Sequence, residues 1–220
     1  MKQNSNITLW LIGINVVFFL IALLFLGSFI KSDIAISAVN IENGKIWTLV
    51  TSMFMHDPNF IGHLFMNMFS LMFLGAFVER LIGSKRFLGI YLISGIIGSL
   101  FFYLFSTSFL SSIPGLGVSK EAWAVGASGA IFGIAGMLAI LTPRMPVYIL
   151  FIPVAMPMWF GVIFILLIFT FLSAVAGLPI GNAAHLGGLI TGVIYALYLR
   201  NKYKRKAQMI ARFYSKENMR

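Results

Sequence analysis

Three histidines, one asparagine and one serine hold most of the chemistry this sequence can offer. His63 and Asn67 stand four residues apart, which on a helix puts them on one face about 6 Å apart along the axis. Ser128 lies in Gly126-Ala127-Ser128-Gly129, and His185 lies in a later apolar stretch. A serine hydroxyl becomes an effective nucleophile when a neutral imidazole accepts its proton within hydrogen-bond reach, and acyl transfer is the reaction that uses such a pair. His185 is the better base, because His63 is paired with Asn67 on another segment. Those two offer N–H donors to a developing oxyanion, together with the backbone N–H groups at Ser128. Small residues around the serine permit close backbone approach. None of the six acids (Asp33, Glu42, Asp57, Glu79, Glu121, Glu217) is placed to complete a triad, so the pattern predicts a Ser128–His185 dyad.

What must position these residues follows from composition. Of 220 residues, 60% are hydrophobic and only 10% charged, against about a quarter charged in soluble domains. This inventory cannot make a water-exposed surface. High apolar content and the lack of cysteine also exclude a disordered chain and a disulfide scaffold. A multi-pass membrane protein remains. Stretches of roughly 20 apolar residues predict six spans: Ile7–Ile30, Phe60–Ile82, Phe87–Phe105, Ala124–Leu141, Met158–Ala174 and Asn182–Leu199. Residues 31–59 read as a long loop and 106–119 as a Ser/Gly/Pro-rich one. Pro153 and Pro157 split the stretch 147–176 into a short apolar interfacial piece and the fifth span. The expected organisation is a six-helix domain over 1–200 and a basic tail over 201–220.

Positive charge sets the expected orientation. With six spans both termini share a side. That side carries Lys2, Arg80, Lys85, Arg86, Arg144 and the eight basic residues from Arg200 onward, thirteen of the sixteen. Both termini are therefore expected in the cytoplasm, with the long first loop outside. Topology and attraction to anionic lipid account for the net charge of +10, so no nucleic-acid partner is expected. Spans two, four and six then all enter from the outer side. His63, Asn67, Ser128 and His185 fall in one layer, roughly 5–12 Å below the outer surface at about 1.5 Å per residue. Intramembrane polar groups are costly, and four from three helices at one depth point to a site.

Each residue also has a plainer reading. Residues 126–133 make a good helix-packing strip, and Gly188 and Gly192, spaced four apart, are assigned to packing in any case. Asn67 alone could be an interhelical hydrogen-bonding group. Glu79 and Arg80 read as structural, and His56 as a solvated loop residue. Joint placement, not any single residue, favours an enzyme.

In order along the chain these residues resemble the rhomboid intramembrane serine proteases. The motifs are Trp47-x3-Thr51-x2-Phe54-x-His56-x6-His63-Leu-x2-Asn67-Met, then Gly75-x3-Glu79-Arg80, then Gly-Ala-Ser-Gly-Ala-Ile-Phe-Gly at 126–133, and Asn-Ala-Ala-His185-Leu-Gly-Gly-x3-Gly192. The resemblance runs from Trp47 to Leu199. It implies an all-α, six-transmembrane-helix bundle with an outward-opening, water-accessible cavity. Ser128 would be the nucleophile and His185 the base. His63, Asn67 and the backbone at Gly126, Ala127 and Ser128 would serve the oxyanion and substrate. It implies transmembrane protein substrates in the lipid bilayer and needs no metal or other cofactor. Three positions depart from the pattern: Thr48 where a basic residue often follows the tryptophan, a longer His56-to-His63 spacing, and Phe132 where tyrosine is common.

The expected function is intramembrane serine endopeptidase, in a bacterial plasma membrane with the active site toward the outer face. One rival is a catalytically silent rhomboid-like factor that binds membrane proteins for quality control. A transporter is the other, but it would favour internal repeats and mid-bilayer charges, which the sequence lacks.

Overall fold

The computed structural model describes residues 7–25, 29–149, 154–205, 208–209 and 213–214. It is an α-helical bundle. Helix α1 (Ile7–Phe25) is followed by a π-helical turn (Ile30–Ile34), strand β1 (Ile36–Ser37), α2 (Ala38–Glu42) and α3 (Thr48–Thr51). The second span is α4 (Ile61–Ser70), a π-helical turn (Leu71–Gly75) and α5 (Ala76–Ile82) in unbroken succession. The third is α6 (Ser84–Thr107); after it come β2 (Trp123–Ala124) and α7 (Ser128–Leu141). Strands β3 (Pro146–Val147) and β4 (Met156–Pro157) precede α8 (Met158–Ala176), and α9 (Asn182–Lys202) closes the bundle.

Five of the expected spans are helices long and apolar enough to cross a bilayer: α1, the α4–α5 rod, α6, α8 and α9. The fourth differs from expectation. Helix α7 starts at Ser128, not Ala124, and has 14 residues. Trp123 and Ala124 instead pair with Ser37 and Ile36 across the bundle mouth. Gly126 then turns the chain with φ +127°, a conformation an L side chain rarely adopts. At 1.5 Å per residue α7 spans about 21 Å of a core about 30 Å thick.

Helix α7 is the centre of the bundle, with Gly129 through Leu138 all buried. It packs against α9 and α6 with little side chain between backbones. A Cβ at Gly188 would lie 1.9 Å from the Gly129 carbonyl oxygen, and one at Gly192 would lie 1.8 Å from that of Gly133. This is the packing expected of those two glycines. Gly83, at φ +86°, reverses the chain from α5 into α6 in a single residue. Helix α8 is the least buried of the five spans: only Met158, Gly161 and Val162 are buried, and Leu167 and Phe171 are largely exposed. Exposed Trp10, Leu24, Phe73 and Ile194 carry the same apolar surface around the bundle, which suits hydrocarbon and not water.

The first loop is ordered by its own polar groups. Trp47 Nε1 donates to the Asp33 carbonyl at 2.8 Å, and Lys45 Nζ reaches the Asp33 carboxylate at 2.8 Å. The Asn40 amide bridges the carbonyls of Lys31 and Ala35, and Thr51 Oγ1 donates to Ile34. Lys45 and then Ser32 hold the Asp33 carboxyl below its usual range. At the other end of the bundle Glu79 is buried and its carboxylate accepts from the N–H groups of Ile7 and Thr8 and from Thr8 Oγ1. These N–H groups have no intrahelical acceptor, so Glu79 caps α1 and its charge meets the positive end of the helix dipole. That bears out its structural reading.

Other boundaries move slightly. Residues 26–28 of the expected first span and 150–153 of the interfacial piece lie outside the described residues, as does much of the tail. The interfacial piece is closed by pairing of β3 with β4. Helix α6 starts three residues early and α9 runs three late, because Ser84, Lys85, Arg86 and Arg200, Asn201, Lys202 continue the turns into the polar margin.

Candidate active site

Ser128 is the first residue of α7, and His185 is the fourth of α9. His185 Nε2 lies 2.8 Å from Ser128 Oγ. The close glycine packing between the two helices brings these side chains together. Phe132, one turn below the serine, stacks on the imidazole with centroids 4.4 Å apart and planes 15° from parallel. Phe169 of α8 approaches its ring to 6.0 Å. His185 is thus buried, and Ser128 is partly buried. His185 Nδ1 meets no hydrogen-bond partner among the described residues. Among the described residues no carboxylate is hydrogen-bonded to His185.

His63, on the first turn of α4, faces the turn before the serine. A Cβ at Gly126 would fall 2.7 Å from His63 Cε1 and 2.8 Å from Nε2, so only glycine leaves the ring its place. The Gly126 N–H donates to the Ser52 carbonyl at 2.9 Å, so this residue contributes clearance and conformation, not a donor. Asn67 is buried one turn below His63, and its Nδ2 donates to the His63 carbonyl at 2.8 Å. One Asn67 N–H is spent within its own helix, and the other has no acceptor among the described residues. Ser128, at a helix start, presents one of the N–H groups that lack an intrahelical acceptor.

Sequence reasoning passed over two residues. His56 is fully buried, not solvated. Its ring centroid lies 5.1 Å from that of His63, and its Nε2 accepts a long bond of 3.5 Å from the Ala127 N–H. Burial, then the neighbouring His63, lowers its pKa to about 3, so it is neutral. Asn182 is the second. Its amide donates to the carbonyls of Gly115 at 2.9 Å and Phe169 at 3.1 Å, tying the loop after α6 and the second half of α8 to the start of α9. Its place three residues before His185 was the available signal. Among the described residues no three His, Asp or Glu side chains gather to hold a metal ion.

A multi-pass helical membrane protein with a serine–histidine pair at a helix start inside the bundle is the class these observations define. The Rhomboid domain family matches residues 43–202, every span but α1, and the chain belongs to that family. It is 34% identical over 160 residues to Rhomboid protease GluP of Bacillus subtilis, covering 72% of this chain and 27% of that protein. RHOMBOID-like protein 12, mitochondrial, of Arabidopsis thaliana is 30% identical over 199 residues, covering 87% and 58%. The Arabidopsis protein named Inactive RHOMBOID-like protein 8 is 35% identical over 152 residues, covering 68% and 37%. The chain thus spans from about a quarter to about three fifths of the length of these relatives.

Proposed function

We propose that this protein is an intramembrane serine endopeptidase that cleaves transmembrane segments of other membrane proteins. One observation carries the reading: Ser128 and His185, from different helices, meet at 2.8 Å in a bundle of apolar helices. The Ser128 hydroxyl attacks the scissile carbonyl while His185 Nε2 takes its proton. His63, the free Asn67 N–H and the backbone N–H groups of Ala127 and Ser128 stabilise the oxyanion. Collapse passes the proton from His185 to the leaving amine and leaves an acyl-Ser128 ester. Water, deprotonated by His185, then hydrolyses it. With no carboxylate on Nδ1, stacking on Phe132 fixes the ring instead.

Substrates enter from the bilayer, and loosely packed α8 is the element that moves to admit them. The reading places both termini in the cytoplasm and the serine toward the outer face of a bacterial plasma membrane. Family membership alone does not decide activity, since one relative bears the name inactive. A phosphonylating serine probe supplies the test. Wild type in bilayers should be labelled at Ser128, and Ser128→Ala and His185→Ala should not. A folded wild type that resists labelling would favour the silent, substrate-binding alternative.

A further inference from the structure

His56 is a loop residue seven positions before His63, yet it is fully buried. Its Nε2 faces the Ala127 N–H at 3.5 Å and lies beside the His63 ring, 5.1 Å between centroids. The same Nε2 would be 3.9 Å from a Cβ on Gly126. His56, His63 and the turn leading to the nucleophile therefore converge on one point. Since Nε2 accepts, the ring proton sits on Nδ1, and Nδ1 is buried with no partner among the described residues. An apolar side chain would fill this place without leaving a buried donor unmatched, so filling space does not account for the imidazole.

We propose that His56 is a positioning residue for the oxyanion site. Its neutral Nε2 holds the Ala127 peptide with its N–H aimed toward the His63 side of the nucleophile. This rests on the reading of Ser128 as a protease nucleophile and adds a role to it. At 3.5 Å the acceptor orients the N–H but competes weakly, so a developing oxyanion draws the donor away at little cost. A carboxylate in the same place would hold the N–H in the ground state and oppose the reaction.

The test uses the full chain in liposomes. Wild type, His56→Gln and His56→Phe are compared for kcat and KM on a single-span substrate, and for thermal unfolding. Glutamine retains an acceptor and should stay within about threefold of wild-type kcat, while phenylalanine should lose about ten- to a hundredfold, somewhat less than deletion of an oxyanion donor. KM should be unchanged in both. Loss of kcat in step with melting temperature in both variants would assign His56 to structure alone, and an undiminished kcat in His56→Phe would overturn the proposal. A wild type that neither cleaves nor takes the serine probe would sink the protease reading and this role together. Independently of activity, 15N NMR of histidine-labelled wild type should find His56 neutral with its proton on Nδ1. A proton on Nε2 would contradict the proposal even if no variant folds.

Discussion

At the residue scale, the chemistry lies in a few polar groups whose neighbours set their state. Buried His56 has a measurable consequence for stability. Its folded pKa is lowered from the ordinary 6.5 to about 3, so on unfolding it takes up a proton at any pH between those values. Its contribution to stability is fully present above about pH 6.5 and is lost as pH falls through that window toward 3. His63, on the first turn of α4, is the titratable group facing it, and Asp57 is its chain neighbour. The melting temperature should therefore drop between pH 7 and pH 4, less steeply in His56→Gln than in wild type, with the difference assigned to His56. Parallel curves for the two proteins would contradict this. The sequence showed the types and spacing of Ser128, His185, His63 and Asn67, because intramembrane polar groups stand out against apolar surroundings. It could not show that His56 is buried. A loop histidine looks the same whether it faces water or folds under the loop, and only tertiary packing decides.

At the element scale, helices separated by bare glycine faces hold Ser128 and His185 together. Gly188, one turn beyond His185, touches the backbone at Gly129, directly after Ser128. A methyl group there would meet a carbonyl oxygen, not a flexible side chain, so α9 must move away from α7. Gly188→Ala should lower stability by about 1–3 kcal/mol and, through a displacement of about 1 Å, reduce Ser128 labelling by about a hundredfold. Near-normal labelling would show that the helices separate without disturbing the pair. The spacing of Gly188 and Gly192 made this packing legible in advance. The start of α7 was not, because Trp123, Ala124 and Val125 are as apolar as the helix that follows. Their pairing with Ile36 and Ser37 and the turn at Gly126 end the helix early. Hydropathy registers apolar content and is blind to that competition. The loop departure at Thr48 also resolves at this scale: Lys45 supplies the cation that ties the loop to Asp33, and Thr48 Oγ1 donates back to the Lys45 carbonyl.

For the whole molecule, fold class was the most legible feature, because 60% apolar content and six apolar stretches allow few other solutions. The contact of Glu79 with the start of α1 places the N-terminal end of the first helix beside the C-terminal end of the second span, so the two run antiparallel. The starts of α4, α7 and α9 then share the opposite end, where Ser128, His185 and His63 meet. The direct test is proteolysis in reconstituted liposomes, using a labelled single-span substrate with helix-breaking residues near its outer end. Wild type should cut it near that end, while folded Ser128→Ala and His185→Ala should leave it intact. Equal cleavage by all three proteins, or none by a folded wild type on this substrate and a second one, would contradict the assignment of Ser128 and His185 as a proteolytic pair.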